Sequence, residues 1–174
     1  NSCWGHFIED NSNVDTFNLS LFDTCGMNVS NPQKSLHVGS AVTILDYDIN
    51  GVSDLLIGDV GYTNLLFARN GGQQVNMNSS IDTLISNFPA GTVPVNISRF
   101  PAGYWLDMDE DGLKDLVVAP NTDILSNASD AIHYYENFGG PGINTLSLIE
   151  KGFLQNDMIA VSYTHLRAHE TEAY

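Results

Sequence analysis

The sequence predicts an all-β protein built as a repetitive array, a piece of a β-propeller or of a related stack of small sheets. Three observations lead there. Short apolar runs of strand length recur, bounded by Gly, Asn and Asp. Helical periodicity is scarce. One order of elements (strand, acidic loop, strand, strand, Gly-Gly turn) occurs twice, with Asp54 and Asp115 lying 115 − 54 = 61 residues apart.

Residues 1–38 mix Trp4, Phe7, Phe17, Leu19, Leu21 and Phe22 with Asn, Ser and Asp. The alternation in "TFNLSLF" predicts a strand with Phe17, Leu19 and Leu21 on one face. This region reads as a partial blade or leading segment. The first full repeat spans 39–100. "AVTILDYD" places Val42 and Ile44 on one face of a strand that runs into an acidic loop, "DLLIGDV" is a buried-type strand, and "NLLFARNGG" is a third closed by Gly-Gly. Residues 73–100 form an Asn/Ser/Pro-rich surface excursion, with room for one short strand. Residues 101–160 hold the second repeat and the start of the next, with "AGYWLDMD" entering the loop, "DLVVAP" leaving it and "AIHYYENFGG" as the third strand.

The chain of 174 residues is long enough for a core, and its 43% hydrophobic content is that of a folded domain. A formal net charge of −15 repels nucleic acid and anionic membrane and suits cations or basic partners. No apolar run is long enough to cross a bilayer, and no signal peptide is visible. The start at Asn1 reads as an excerpt of a longer protein. Cys3 and Cys25 admit either a disulfide or two buried thiols, and they lack partners at zinc spacing. The terminal string "VSYTHLRAHET" resembles the translation of a sequencing-library adapter, so residues 161–174 are set aside, including His165 and His169.

The two loops carry the chemistry. In "DYDINGVSD" oxygen side chains fall at positions one, three, five and nine: Asp46, Asp48, Asn50 and Asp54. Gly51 stands at six, where a left-handed backbone costs other residues energy, and the Val52 carbonyl at seven faces inward. "DMDEDGLKD" repeats the register with Asp107, Asp109, Asp111, Gly112, the Leu113 carbonyl and Asp115. Hard oxygens around one point are the first nine positions of a calcium loop. Carboxylates crowded this closely repel one another, and a divalent ion removes the conflict. The competing reading is a solvated acidic turn, because Asp, Asn and Gly all favour turns. Two copies in matching strand contexts favour calcium. An EF-hand needs a bidentate Glu at position twelve, where Ile57 and Val118 stand here inside strands.

Loops of the form D-x-D-x-[DN]-G-x-x-D-[LI] between apolar strands resemble the FG-GAP/VCBS repeat, the blade unit of integrin-α-like β-propellers. The strings "DLLIGDVGYTNLLFARNGG" and "FPAGYWLDMDEDGLKDLVVAPN" are similar to secreted repeat proteins of Bacteroidota that carry a type IX secretion sorting domain. The resemblance covers residues 39–160 well and 1–38 weakly. It implies propeller blades with calcium held by Asp46, Asp48, Asn50, Val52 and Asp54, and by Asp107, Asp109, Asp111, Leu113 and Asp115. It implies no activity.

The expected function is therefore a calcium-stabilised, extracellular or cell-surface module that contacts glycans or surface proteins without catalysis. One rival is part of a secreted carbohydrate-active hydrolase using Asp107 with Asp109. Another is an integrin-like adhesin in which a loop-borne calcium bridges to a partner's acid. His133 and Tyr135 fall on one face of their strand and are expected in the core. Exposure of Tyr62 or Tyr104 would favour sugar contact.

Overall fold

The computed structural model describes residues 39–72, 80–122 and 130–155, together with the backbone of 7–9 and 19–21. Cys3, Cys25 and residues 161–174 lie outside the described residues. The chain is all-β, with no helix among the described residues. Two short strands, β1 (Phe7–Glu9) and β2 (Leu19–Leu21), pair antiparallel. Two four-stranded antiparallel sheets follow, and neither closes on itself.

Sheet one runs in the order β3 (Ser40–Leu45), β4 (Asp54–Asp59), β5 (Leu65–Asn70), β6 (Ile81–Ile85). Sheet two runs β7 (Pro101–Leu106), β8 (Asp115–Pro120), β9 (His133–Asn137), β10 (Leu146–Lys151). Each is an up-and-down meander, the simplest consequence of strands joined by loops too short for a crossover. The repeat extends to register: Leu45 opposes Asp54 in sheet one as Leu106 opposes Asp115 in sheet two.

The strands predicted around both acidic loops are present. β6 is the one short strand for which the 73–100 excursion left room, and β10 is a strand that carried no reading. Both close an edge, with mixed sequences IDTLI and LSLIEK in which polar residues interrupt the apolar face. Those polar interruptions blur the alternation by which a strand is read from sequence.

The sheets stack face to face. Leu45, Leu56, Leu65 and Phe67 of sheet one meet Leu116, Val118, Tyr135 and Leu146 of sheet two in one core. Phe88, Val95 and Ile97, from the segment joining the sheets, fill its side. Tyr47 packs edge-on against Phe67, Phe88 and Trp105, with ring centroids 5.3, 5.2 and 6.0 Å away. On the far face of sheet one, Ile57, Leu66, Ala68 and Ile81 form a second, smaller core. His133 and Tyr135 are buried as expected, with His133 Nδ1 3.4 Å from the Tyr135 hydroxyl. Burial, and then the Lys151 charge, hold the His133 imidazole below its ordinary range.

β3 and β4 of sheet one come close enough to β7 of sheet two to exclude side chains. Thr43 Oγ1 donates to the Gly103 carbonyl at 2.6 Å. A Cβ on Gly103 would stand 2.6 Å from Leu56 Cδ2, and one on Gly58 would strike the Pro101 carbonyl. The Gly58 contact is with backbone and cannot rotate away. Gly58→Ala is expected to destabilise the protein by about 3 kcal/mol, the upper range of overpacking costs. Urea denaturation with circular dichroism checks it, and Gly140→Ala, where a Cβ meets nothing within 4 Å and the backbone is not left-handed, calibrates the loss of a glycine alone.

Candidate metal centre

Both acidic loops sit at the same end of the two sheets, because each joins the first strand of a meander to the second. Their backbones match. Position four is left-handed in both, Ile49 at φ 57° and Glu110 at φ 64°. So is the glycine at six, Gly51 at φ 82° and Gly112 at φ 90°. Glycine carries no Cβ penalty there; the non-glycine residues at four do, so the surrounding bonds must hold them.

Those bonds come from the aspartates. The carboxylate at position one receives the glycine amide: Gly51 to Asp46 at 2.9 Å and Gly112 to Asp107 at 3.1 Å. Position three receives the amide of position five: Asn50 to Asp48 at 3.3 Å and Asp111 to Asp109 at 3.2 Å. Position five receives the amide of position seven: Val52 to Asn50 and Leu113 to Asp111, both 2.7 Å. Each loop thus turns its oxygens toward a common interior.

Position nine is different. Asp54 and Asp115 are buried at the start of the second strand, with 0% and 1% exposure. One oxygen of Asp54 accepts the Tyr47 amide at 2.9 Å and the other the Asn70 amide at 2.8 Å. Asp115 accepts the Met108 amide at 3.0 Å and the Asn137 amide at 2.9 Å, and the Tyr134 hydroxyl donates to it at 3.3 Å. Burial pushes the Asp54 carboxyl above the ordinary aspartate range; its two amide donors offset part of this, and Asp48 and Asp46 raise it further. Burial and the nearby Asp115 likewise push the Tyr134 phenol up, so it remains a donor. The acid field extends to Glu136, whose carboxyl is raised by desolvation first and then by Asp109, Asp115 and Asp111.

The structure brings the first, third and ninth positions together. One oxygen each of Asp46, Asp48 and Asp54 lies within 4.8 Å of the others, and the same holds for Asp107, Asp109 and Asp115. Such a separation lets one cation touch all three. The fifth-position oxygens that accept amides, on Asn50 and Asp111, are committed inside the loop. Val52 and Leu113 are half-buried at position seven, their amides held by position five. These acidic clusters can hold a metal ion, and their donors are all oxygen, the chemistry of a hard divalent ion.

Sequence reasoning missed Asn70 and Asn137. Each ends the third strand of its sheet and does the same work. Asn70 Nδ2 donates to the Ser53 carbonyl and Asn137 Nδ2 to the Lys114 carbonyl, the eighth loop position in both copies. Their Oδ1 atoms accept from the turns that follow, Gly72 with Ser80 and Gly139 with Thr145. The signal was present as an asparagine before each Gly-Gly pair, "NGG" and "NFGG". The loops are also tied to each other. Asn144 accepts from Asn137 at 2.6 Å and donates to the Tyr47 carbonyl at 2.6 Å, joining the second sheet to the first loop.

Comparison with protein-family models, with curated proteins and with solved structures finds no match.

Proposed function

We propose that this chain is a calcium-stapled, non-enzymatic binding or scaffolding module, acting outside the cell or at its surface. Its two sheets are read as blades of an FG-GAP/VCBS-type β-propeller, and its partners as glycans or surface proteins. The observation that carries this is the duplication: two loops with the same left-handed positions, the same ladder of amide-to-carboxylate bonds and the same three converging carboxylates. A structural staple is used once per repeat, whereas a catalytic pair is needed once per active site. Calcium is favoured over magnesium because side-chain and carbonyl oxygens can fill a flexible shell, while magnesium keeps its waters. Tyr104 is exposed beside the second loop's strand and offers a ring to a sugar, while Tyr62 is half-buried against the second core. The hydrolase reading through Asp107 and Asp109 has weaker support, since carboxylates that hold a metal are poor proton shuttles.

Isothermal titration calorimetry of the chain with calcium and with magnesium tests the metal part. Two calcium sites are expected, the Asp107 loop tighter than the Asp46 loop because Asp111 replaces Asn50, with affinities of about 10⁻⁴ to 10⁻³ M. Absence of calcium heat at millimolar ion, or a preference for magnesium, overturns the reading. A glycan array with the calcium-loaded chain then tests the partner class.

A further inference from the structure

Position two of the first loop is held from outside its own repeat. Tyr47 stands between Asp46 and Asp48, two of the three converging carboxylates. Its amide donates to Asp54 at 2.9 Å, within the repeat. Its carbonyl accepts from Asn144 Nδ2 at 2.6 Å, and its ring meets Trp105 at a centroid distance of 6.0 Å. Asn144, just before β10, and Trp105, on β7, both belong to the second repeat. The second loop has Met108 at the same position, 38% exposed. The Met108 amide donates to Asp115 as the Tyr47 amide does to Asp54.

This contact completes a relay between the two buried carboxylates. The Asn137 backbone amide donates to Asp115 at 2.9 Å. Asn137 Nδ2 donates to the Lys114 carbonyl at 3.0 Å and to Asn144 Oδ1 at 2.6 Å. Asn144 Nδ2 reaches the Tyr47 carbonyl, and the Tyr47 amide returns to Asp54. Both ends of the side-chain relay are backbone carbonyls, which only accept, so each asparagine amide has one orientation that satisfies it. The hairpin that presents Asn144 has little room to move. Asn137 Oδ1 accepts from Gly139 at 3.1 Å and from Thr145 at 2.8 Å. Gly140 and Ile143 exchange both of their backbone bonds, and a Cβ on Gly139 would strike the Ile143 carbonyl. Contiguous bonds between rigid elements are the physical means by which distant sites influence each other.

We propose that Asn144 is a positioning residue that couples the two loops: order in the second loop, imposed by its cation, tightens the first loop's hold on a cation of its own. The coupling rests on the calcium reading; the bracing of Tyr47 by Asn144 does not. An ion on Asp107, Asp109 and Asp115 fixes Asp115 and the Lys114 carbonyl beside it, hence Asn137, and hence Asn144. The Tyr47–Asp48 peptide, which separates two first-loop ligands, then has less freedom, and less order is left for the first loop's ion to impose. The effect is reciprocal, since linkage gives each ion the same factor on the other. Repulsion between two cations gives the opposite sign. Positive coupling is therefore the signature of the relay.

Amide NMR of the full chain reads the loops separately, because Gly51 donates to Asp46 and Gly112 to Asp107. In EGTA, Asn144→Ala is expected to speed hydrogen exchange at Tyr47 about fivefold and to leave Gly112 unchanged, as loss of one hydrogen bond beside that peptide does. In a calcium titration, Asp109→Ala is expected to abolish the Gly112 response and to move the Gly51 midpoint to about fivefold higher calcium, the low end of usual coupling. In the Asn144→Ala background, Asp109→Ala is expected to leave the Gly51 midpoint where it was. Asn144→Asp keeps the side chain's shape and its acceptor for Asn137 but cannot donate to Tyr47, and is expected to lose the coupling equally. Unchanged Tyr47 exchange in EGTA overturns the proposal. So does a Gly51 midpoint that ignores Asp109→Ala, or one that shifts by the same factor with and without Asn144. Calcium responses at both glycines without the cross-effect discard the coupling alone. No response at either glycine discards the calcium reading and the coupling with it.

Discussion

Calcium at about 10 mM is expected to raise the melting temperature of this chain by about 10 °C over its value in excess EGTA. The figure follows from linkage. An ion that binds the folded loop and not the unfolded chain stabilises it by RT ln(1 + [L]/Kd), about 1.4 kcal/mol per loop at a tenfold excess over Kd. One kcal/mol moves the melting temperature by about 2–4 °C in chains of about 150–250 residues. Differential scanning calorimetry across a calcium series measures it. The shift should grow with the logarithm of calcium concentration, since saturation of the fold does not end the linkage. Magnesium at equal concentration should produce a much smaller shift. The physical origin is the crowding of Asp46, Asp48 and Asp54, and of Asp107, Asp109 and Asp115, within 4.8 Å. Without a cation their repulsion weakens the loops, and with one it becomes attraction through the ion. A melt that does not respond to calcium reduces both loops to solvated turns.

Asp115→Ala and Asp109→Ala separate the two roles of these carboxylates. Asp115 is buried and accepts from the Met108 amide, the Asn137 amide and the Tyr134 hydroxyl. Its removal leaves three donors without that acceptor, and a buried unsatisfied group costs about 1–3 kcal/mol. Asp115→Ala is therefore expected to lose about 3 kcal/mol or more in EGTA, before any ion is considered. Asp109 is exposed and accepts one amide inside its own loop, from Asp111 at 3.2 Å. Asp109→Ala should stay within about 0.5 kcal/mol of the parent in EGTA, as exposed substitutions do. In calcium it should lose the second loop's share of the stabilisation. Urea denaturation of the three proteins with and without calcium gives all six numbers. Equal losses in EGTA for both variants would contradict the division between a buried anchor and an exposed ligand.

Much of the candidate site could be read before the fold was known, because its chemistry is local. The alternating aspartates and the glycine at position six lie within nine consecutive residues in each copy. A left-handed backbone at Gly51 and Gly112 follows from their own neighbours. Strands β3 to β5 and β7 to β9 were legible for the same reason, as apolar runs whose side chains alternate or bury fully. β10 was not, and β6 was foreseen only as room for a short strand, because polar residues interrupt the apolar face in IDTLI and LSLIEK. Asn70 and Asn137 were not, because their carboxylate and carbonyl partners lie across the sheet.

The sequence by itself determined the all-β class, the twofold repeat and the two oxygen-lined loops, since backbone preference and charge act over a few residues. Only the tertiary structure decided that Asp54 and Asp115 are buried anchors rather than loop ligands alone. It also decided that Gly58 and Gly103 are glycines because a second sheet presses on them, and that Asn144 ties one repeat to the other. These depend on groups brought together from distant parts of the chain, and no local pattern records which distant group will arrive.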